Sequence, residues 1–330
     1  MDSGGTAGVG PCHSREREPV GVPRRAVLTG VVASLGLLAG CGVRLDLPQP
    51  PPPVPTREKV ADEDLLVGFV RDVRVLVAQA QALPAAEAAH AAVRDAVRVL
   101  REQDVVLTGR LTNAGVPTAV INTAPVSGAT ASTTAAPDAA TGPGRLGAVL
   151  AELPTGRWES LAGSHTDTRL ILLSATSARL AAAVRLGAAV APQGQSPQAV
   201  HAALLERTAP LVYGFEVVAA QSTGAARTAA LTTLDALHAL LDDVGPGLPG
   251  RALPGGWQLP YAVTTPQAAA RLARDLLRRA IGATPQLVAL ARSATGLEDV
   301  AAWSARVQAL GPAHGIPLTA FPGTSGGPRS

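Results

Sequence analysis

The sequence predicts an all-α fold built as two four-helix bundles in tandem, each with a long crossover between its second and third helices. Three observations carry this. Hydrophobic residues make up 47% of the 330 residues and aromatics only 2%. Ala and Leu therefore supply the apolar mass, which suits close helix packing, whereas sheets prefer β-branched and aromatic residues. From Asp62 onward apolar residues recur at spacings of three and four, the mark of one helix face. Short turns and long links then alternate twice along the chain. With 16% charged residues the core is sizeable and global disorder is excluded.

Residues 1–40 read as an export signal. Arg24 and Arg25 precede a short apolar run from Ala26 to Gly40, and small residues lead to Cys41. That run is short for a membrane span, which needs about 20 apolar residues. The pair Arg24-Arg25 resembles a twin-arginine signal. Leu38-Ala39-Gly40-Cys41 resembles a bacterial lipobox, which implies an acylated Cys41 and a protein anchored, palmitate-like, on the outer face of the cytoplasmic membrane. Cleavage before Cys41 removes Cys12 and leaves one cysteine, so no internal disulfide is expected. Residues 41–56 carry the Pro-rich stretch Pro48–Pro55. Proline favours the extended polyproline helix, so this spacer holds the domain roughly 25 Å from the membrane.

Residues 57–190 are expected to form the first, degenerate bundle. Leu65, Leu66, Phe69, Val73, Leu76 and Ala80 define its first helix, with Asp62, Glu63 and Asp64 at the N-terminal dipole. After Leu83-Pro84, a second helix places His90, Val93, Val97, Leu100, Asp104, Leu107 and Leu111 on one stripe. Residues 118–144 are Ala, Thr, Ser, Gly and Pro with little else, and read as a flexible insert. A short helix from Arg145 to Leu153 follows, then Trp158 to Ala162. A longer helix from Ser164 shows a capping box with Asp167.

Residues 196–323 are expected to form the second bundle, followed by a disordered tail, 324–330. Ser196-Pro197 open a helix whose buried face is Leu204, Thr208, Leu211, Phe215 and Val218. Ser222-Thr223-Gly224 turn the chain into a second helix, with Leu231, Leu234, His238 and Leu241 as its face. A long link reaches Thr265-Pro266, where a third helix starts. Gly282 and Pro285 split it, and a last helix ends at Gly311-Pro312. One long crossover of this kind distinguishes ferritin-like bundles from up-down-up-down ones.

The span His201–Gly323 resembles the ferritin-like domain of unknown function found in actinobacterial envelope lipoproteins. The residues that carry the resemblance are Leu211-Val212-Tyr213-Gly214-Phe215, Leu259-Pro260-Tyr261-Ala262-Val263, Trp303, and Leu318 to Gly323. The resemblance implies tandem ferritin-like four-helix bundles and transfers no reaction.

Carboxylate-bridged iron or manganese pairs need a carboxylate on each of two helices and Glu-x-x-His on the other two. Glu216, Asp235, His238 and Asp275 are the candidates in the second half, and Glu87 with His90 in the first. Neither half supplies the whole set, so no cofactor is expected, and a di-iron or manganese site is the alternative. His165, His201 and His314 read as surface or end residues. A net charge of +3 without a basic, aromatic-bearing stripe excludes nucleic acid as a partner. No Gly-x-Ser-x-Gly or phosphate cradle stands at a strand–helix turn. The expectation is a non-catalytic, membrane-anchored binding or structural module with a protein or small apolar partner. A metal-binding protein or oxidase is the rival.

Overall fold

The computed structural model describes residues 57–123, 142–245, 254 and 256–324. Arg24, Arg25, Cys41, the Pro-rich spacer and residues 124–141 and 325–330 lie outside these. Every regular element among the described residues is helical, as the Ala–Leu composition requires. No described helix is long and apolar enough to cross a membrane.

The first half holds α1 (Glu63–Gln81), α2 (Ala85–Ala88), α3 (Ala91–Asn113), α4 (Thr118–Asn122), α5 (Pro143–Ala151), α6 (Arg157–Gly163) and α7 (Thr166–Arg185). The second holds α8 (Gln198–Gln221), α9 (Gly224–Val244), α10 (Pro266–Gly282), α11 (Thr284–Leu290) and α12 (Ala294–Leu310), closed by a 3₁₀ turn, Gly311–His314. In the first half α1 lies beside α3 and α5, and α7 closes between α3 and α5. In the second, α8 lies beside α9 and α10, and α12 contacts both of these. The halves meet where α7 packs along α12. Arg57–Ser330 form one compact unit.

Both helices of that seam carry small side chains. Ser174, Ala175, Thr176, Ser177, Ala178, Ala181, Ala182 and Ala183 of α7 are all buried, as are Ala301, Ala302, Ser304 and Ala305 of α12. A helix apolar or small on every side is a core helix. Two hydroxyls of α7 are satisfied within the helix: Thr176 donates to the Leu172 carbonyl at 2.8 Å and Ser177 to that of Leu173 at 2.9 Å, while the buried Ser174 hydroxyl has no partner among the described residues. A close approach of the same kind joins α8 and α10, where a methyl group on Gly214 would lie 2.4 Å from Leu276.

Short helices leave many terminal carbonyls unpaired, and buried arginines answer them. Arg179, 5% exposed, donates to the carbonyls of Leu150 at 2.8 Å, Val149 at 3.2 Å and Glu152, closing the C-terminus of α5. Burial lowers its pKa to about 10, with the Asp72 carboxylate pulling the other way. Arg169 does the same for α6 through Leu161, Ala162 and Ser164.

Four sequence expectations change. The helix expected from Pro84 to Asn113 breaks at His90, whose backbone is extended, so α2 and α3 are separate. The α3 stripe is Ala92, Val93, Ala96, Val99, Leu100, Gln103, Leu107 and Leu111. His90 is exposed and Asp104 stands off it, paired with Arg74 at 2.7 Å. A run of alanines carries no facial preference, so the apolar period there had no phase. The insert begins with one helical turn, α4, because Ile121 is buried and Arg71 binds the Val120 carbonyl at 3.1 Å. Ser164 does not cap α7; its hydroxyl donates back to the Leu161 carbonyl at 2.7 Å. The buried face of α9 is Ala230, Thr233, Leu237, Leu240 and Val244. Leu231 is 43% exposed. This helix carries apolar residues on two sides, and only its neighbour α8 decides which side is covered.

Arg179→Met removes three carbonyl partners and should lower stability by about 2–4 kcal/mol. Urea unfolding measures this, with the exposed Arg110→Met as a control expected to change little.

Candidate functional site

The metal candidates are dispersed. Glu216, Asp235, His238 and His90 are exposed, and Glu87 is half-buried. Asp275 is engaged elsewhere: the Tyr261 hydroxyl donates to it at 3.0 Å and the Arg271 Nε lies 3.6 Å away. The Arg271 guanidinium in turn stacks over the Tyr261 ring at 4.7 Å. Burial, followed by the hydrogen bond to Asp275, raises the Tyr261 pKa. Among the described residues no group of three or more His, Cys, Asp or Glu side chains is arranged to hold a metal ion. The residues present do not fit a carboxylate-bridged metal pair, because α9 turns Asp235 and His238 away from its buried face.

What the fold does assemble lies at the seam. Asp299 of α12 is 1% exposed and accepts the backbone N–H groups of Gln193 at 2.5 Å and Ser196 at 3.2 Å. These bonds fold the link between α7 and α8 back over the first turns of α12. The link, the end of α5, α6 and α7 then surround Glu298, the residue before Asp299. Leu153, Trp158, Leu180, Val190, Glu298 and Ala302 line a cavity of about 320 Å³. Among the described residues no Lys, Arg or His lines it.

Glu298 is the chemically distinct group. Burial raises its pKa, and the neighbouring carboxylates of Asp299 and Glu159 add to the rise. The hydrogen bond from Trp158 opposes this. A larger cleft of about 680 Å³ lies by the N-terminus of α1. Its charged groups are committed to partners: Lys59 to Asp64 at 2.8 Å, Arg57 to Glu63, and Arg157 to Asp72. Glu298 has no ion-pair partner among the described residues, so the smaller pocket is the stronger ligand site.

Several of the residues that carry the sequence resemblance serve packing. The Trp303 indole N–H donates to the Thr208 hydroxyl at 2.8 Å, fully buried. Tyr213 and Trp257 place their rings 5.7 Å apart. The Ala320 carbonyl accepts from the buried Gln103 side chain at 3.1 Å, which also bonds the Ala175 carbonyl at 2.9 Å. Gln103 thereby pins the C-terminal segment to α7.

Two histidines differ from expectation. His201 is only 6% exposed, and its Nε2 has no protein partner. His314 is half-buried, 2.8 Å from the Thr233 hydroxyl, with its ring edge-on to Phe215 at 5.2 Å. Burial, with Arg274 nearby, holds its pKa below the ordinary histidine value. His165 is exposed as expected, 3.2 Å from Asp62.

Sequence reasoning missed the seam pocket because it treated the halves separately. Glu298 and Asp299 lie on the last helix and Glu159 on α6 of the first half, so neither half by itself shows the cluster. The available signal was Trp158, an aromatic residue in a chain with few of them. Compared with known proteins, the chain matches no family model, no curated protein and no solved structure.

A glutamate whose pKa is raised in the folded state stabilises the fold at low pH and loses that contribution as pH rises through the raised value. Glu298→Gln should therefore raise the thermal midpoint at pH 7 relative to the parent. The difference should vanish below the ordinary glutamate pKa of about 4.3. Thermal unfolding of both proteins across pH 3.5–8 checks the sign.

Proposed function

We propose that this chain is a lipid-anchored envelope protein whose paired helical bundles act as a non-catalytic binding module, with the seam pocket as its ligand site. The observation that carries this is the pocket itself, built from five separate segments around one half-buried carboxylate. The location rests on the lipobox at Cys41 and the export signal before it. In this reading Cys41 is acylated, and the proline-rich spacer holds the domain off the membrane.

Ferritin-like topology in both halves is part of the proposal. Its support is the common neighbour order: in each half the first helix flanks the second and third, and the fourth contacts the second and third. Long links join the second and third helices in both halves, as a crossover requires. The metal chemistry of such bundles is not part of the proposal, since the ligand positions Glu216, Asp235, His238 and Asp275 are not brought together.

Two measurements test the parts separately. Cys41→Ala should move the protein from the membrane to the soluble fraction; retention in the membrane would sink the anchor. Benzyl alcohol, a small neutral probe, should bind the purified full chain saturably in calorimetry. Ala189→Trp, a substitution at the exposed rim of the pocket, should abolish that binding without unfolding the protein.

A further inference from the structure

We infer that the seam pocket selects an organic ammonium ion with a compact apolar body; this rests on the pocket being the ligand site. The walls set the class. Leu153, Leu180 and Val190 supply apolar contact, and Glu298 is the one charged side chain among the described residues that line it.

Glu298 offers a carboxylate whose one neighbouring donor is the Trp158 indole, and Asp299 and Glu159 add negative field. Asp299 cannot itself serve a ligand, because its oxygens hold the backbone of Gln193 and Ser196. Glu298 is therefore the group that a ligand meets. Ala151, the last residue of α5, also lines the pocket, and the carbonyls of that helix end are held by Arg179. With no Lys, Arg or His among the described residues that line it, a carboxylate or phosphate ligand finds repulsion from Glu298 and no cationic partner. An ammonium group pairs with Glu298, the carboxylate that lines the cavity. Trp158 adds a π surface, which attracts cations.

Size narrows the class further. A cavity of about 320 Å³ stands at the lower end of ligand pockets. It suits a single ring or a short branched chain rather than a lipid or a peptide. The mouth is formed by the link between α7 and α8, whose position depends on the two bonds to Asp299.

Three probes of one shape test the inference on the purified full chain by calorimetry at pH 7: benzylammonium, benzyl alcohol and benzoate. Benzylammonium should bind at least tenfold more tightly than benzyl alcohol, and benzoate should not saturate. Glu298→Gln should erase the ammonium advantage, so that benzylammonium binds no more tightly than benzyl alcohol. In the parent the advantage should also fade as pH falls through the raised Glu298 pKa. Equal affinity for the ammonium and the alcohol in the parent overturns the inference and leaves the pocket standing. So does an advantage that survives Glu298→Gln. Failure of both probes to bind, or binding that survives Ala189→Trp, overturns the pocket itself. If Glu298→Gln does not fold, the ratio of the two affinities in the parent still decides.

Discussion

The contact between α7 and α12 is the constraint on which the rest depends. Both helices present alanine and serine at buried positions, so their axes can approach closely with little side-chain entropy lost. Dispersion along such a contact is dense, since few voids remain. The price is that neither helix has a polar face to turn to water. Each must be covered on its other sides, and α3, α5 and α6 do this for the seam's first half. Two halves that share such a contact between their last helices cannot fold as strangers. Arg57–Ser330 are accordingly one compact unit.

The chain achieves this without a disulfide among its described residues and with few aromatic side chains. Arginine supplies much of what would otherwise be missing. Arg179, Arg169 and Arg71 each donate to the carbonyl end of a short helix. A guanidinium suits this task because its fork reaches several acceptors at once and stays protonated even when burial lowers its pKa to about 10. Arg157 combines an ion pair to Asp72 with a stack 5.4 Å from the Phe69 ring. The short helices α4, α5 and α6 are marginal on their own; capping by side chains from neighbouring helices is what fixes their ends.

The pocket follows from the same architecture. Helices packed through small residues leave room where a link must pass over them, and the link between α7 and α8 passes over α12. Asp299 fixes its course by accepting two backbone N–H groups, the kind of bond a buried carboxylate needs. Its neighbour Glu298 is left facing the gap without a cation. Elsewhere an arginine answers some of the acidic side chains, as Arg306 answers Asp243 and Arg185 answers Asp95. Glu298 differs from these in lining a cavity.

Much of this fold was legible from residue types. The apolar spacing of α1, the face of α8, the Thr265 cap that accepts from the Ala268 N–H at 3.2 Å, and the split at Gly282 all follow from local rules of helix period and capping. The phase of α3 and α9 was not legible. Alanine runs and two-sided leucine patterns suit more than one face, and only the neighbouring helix selects among them. That selection removed His90, Asp235 and His238 from the interior and with them the metal site that their spacing suggested. By itself the sequence determined the helical class and several of the helix ends, because propensity and caps act over a few residues. Which side chains share a site was decided by tertiary packing alone. Trp158 and Glu298 are far apart in the chain, and only the approach of α7 to α12 brings them to one cavity.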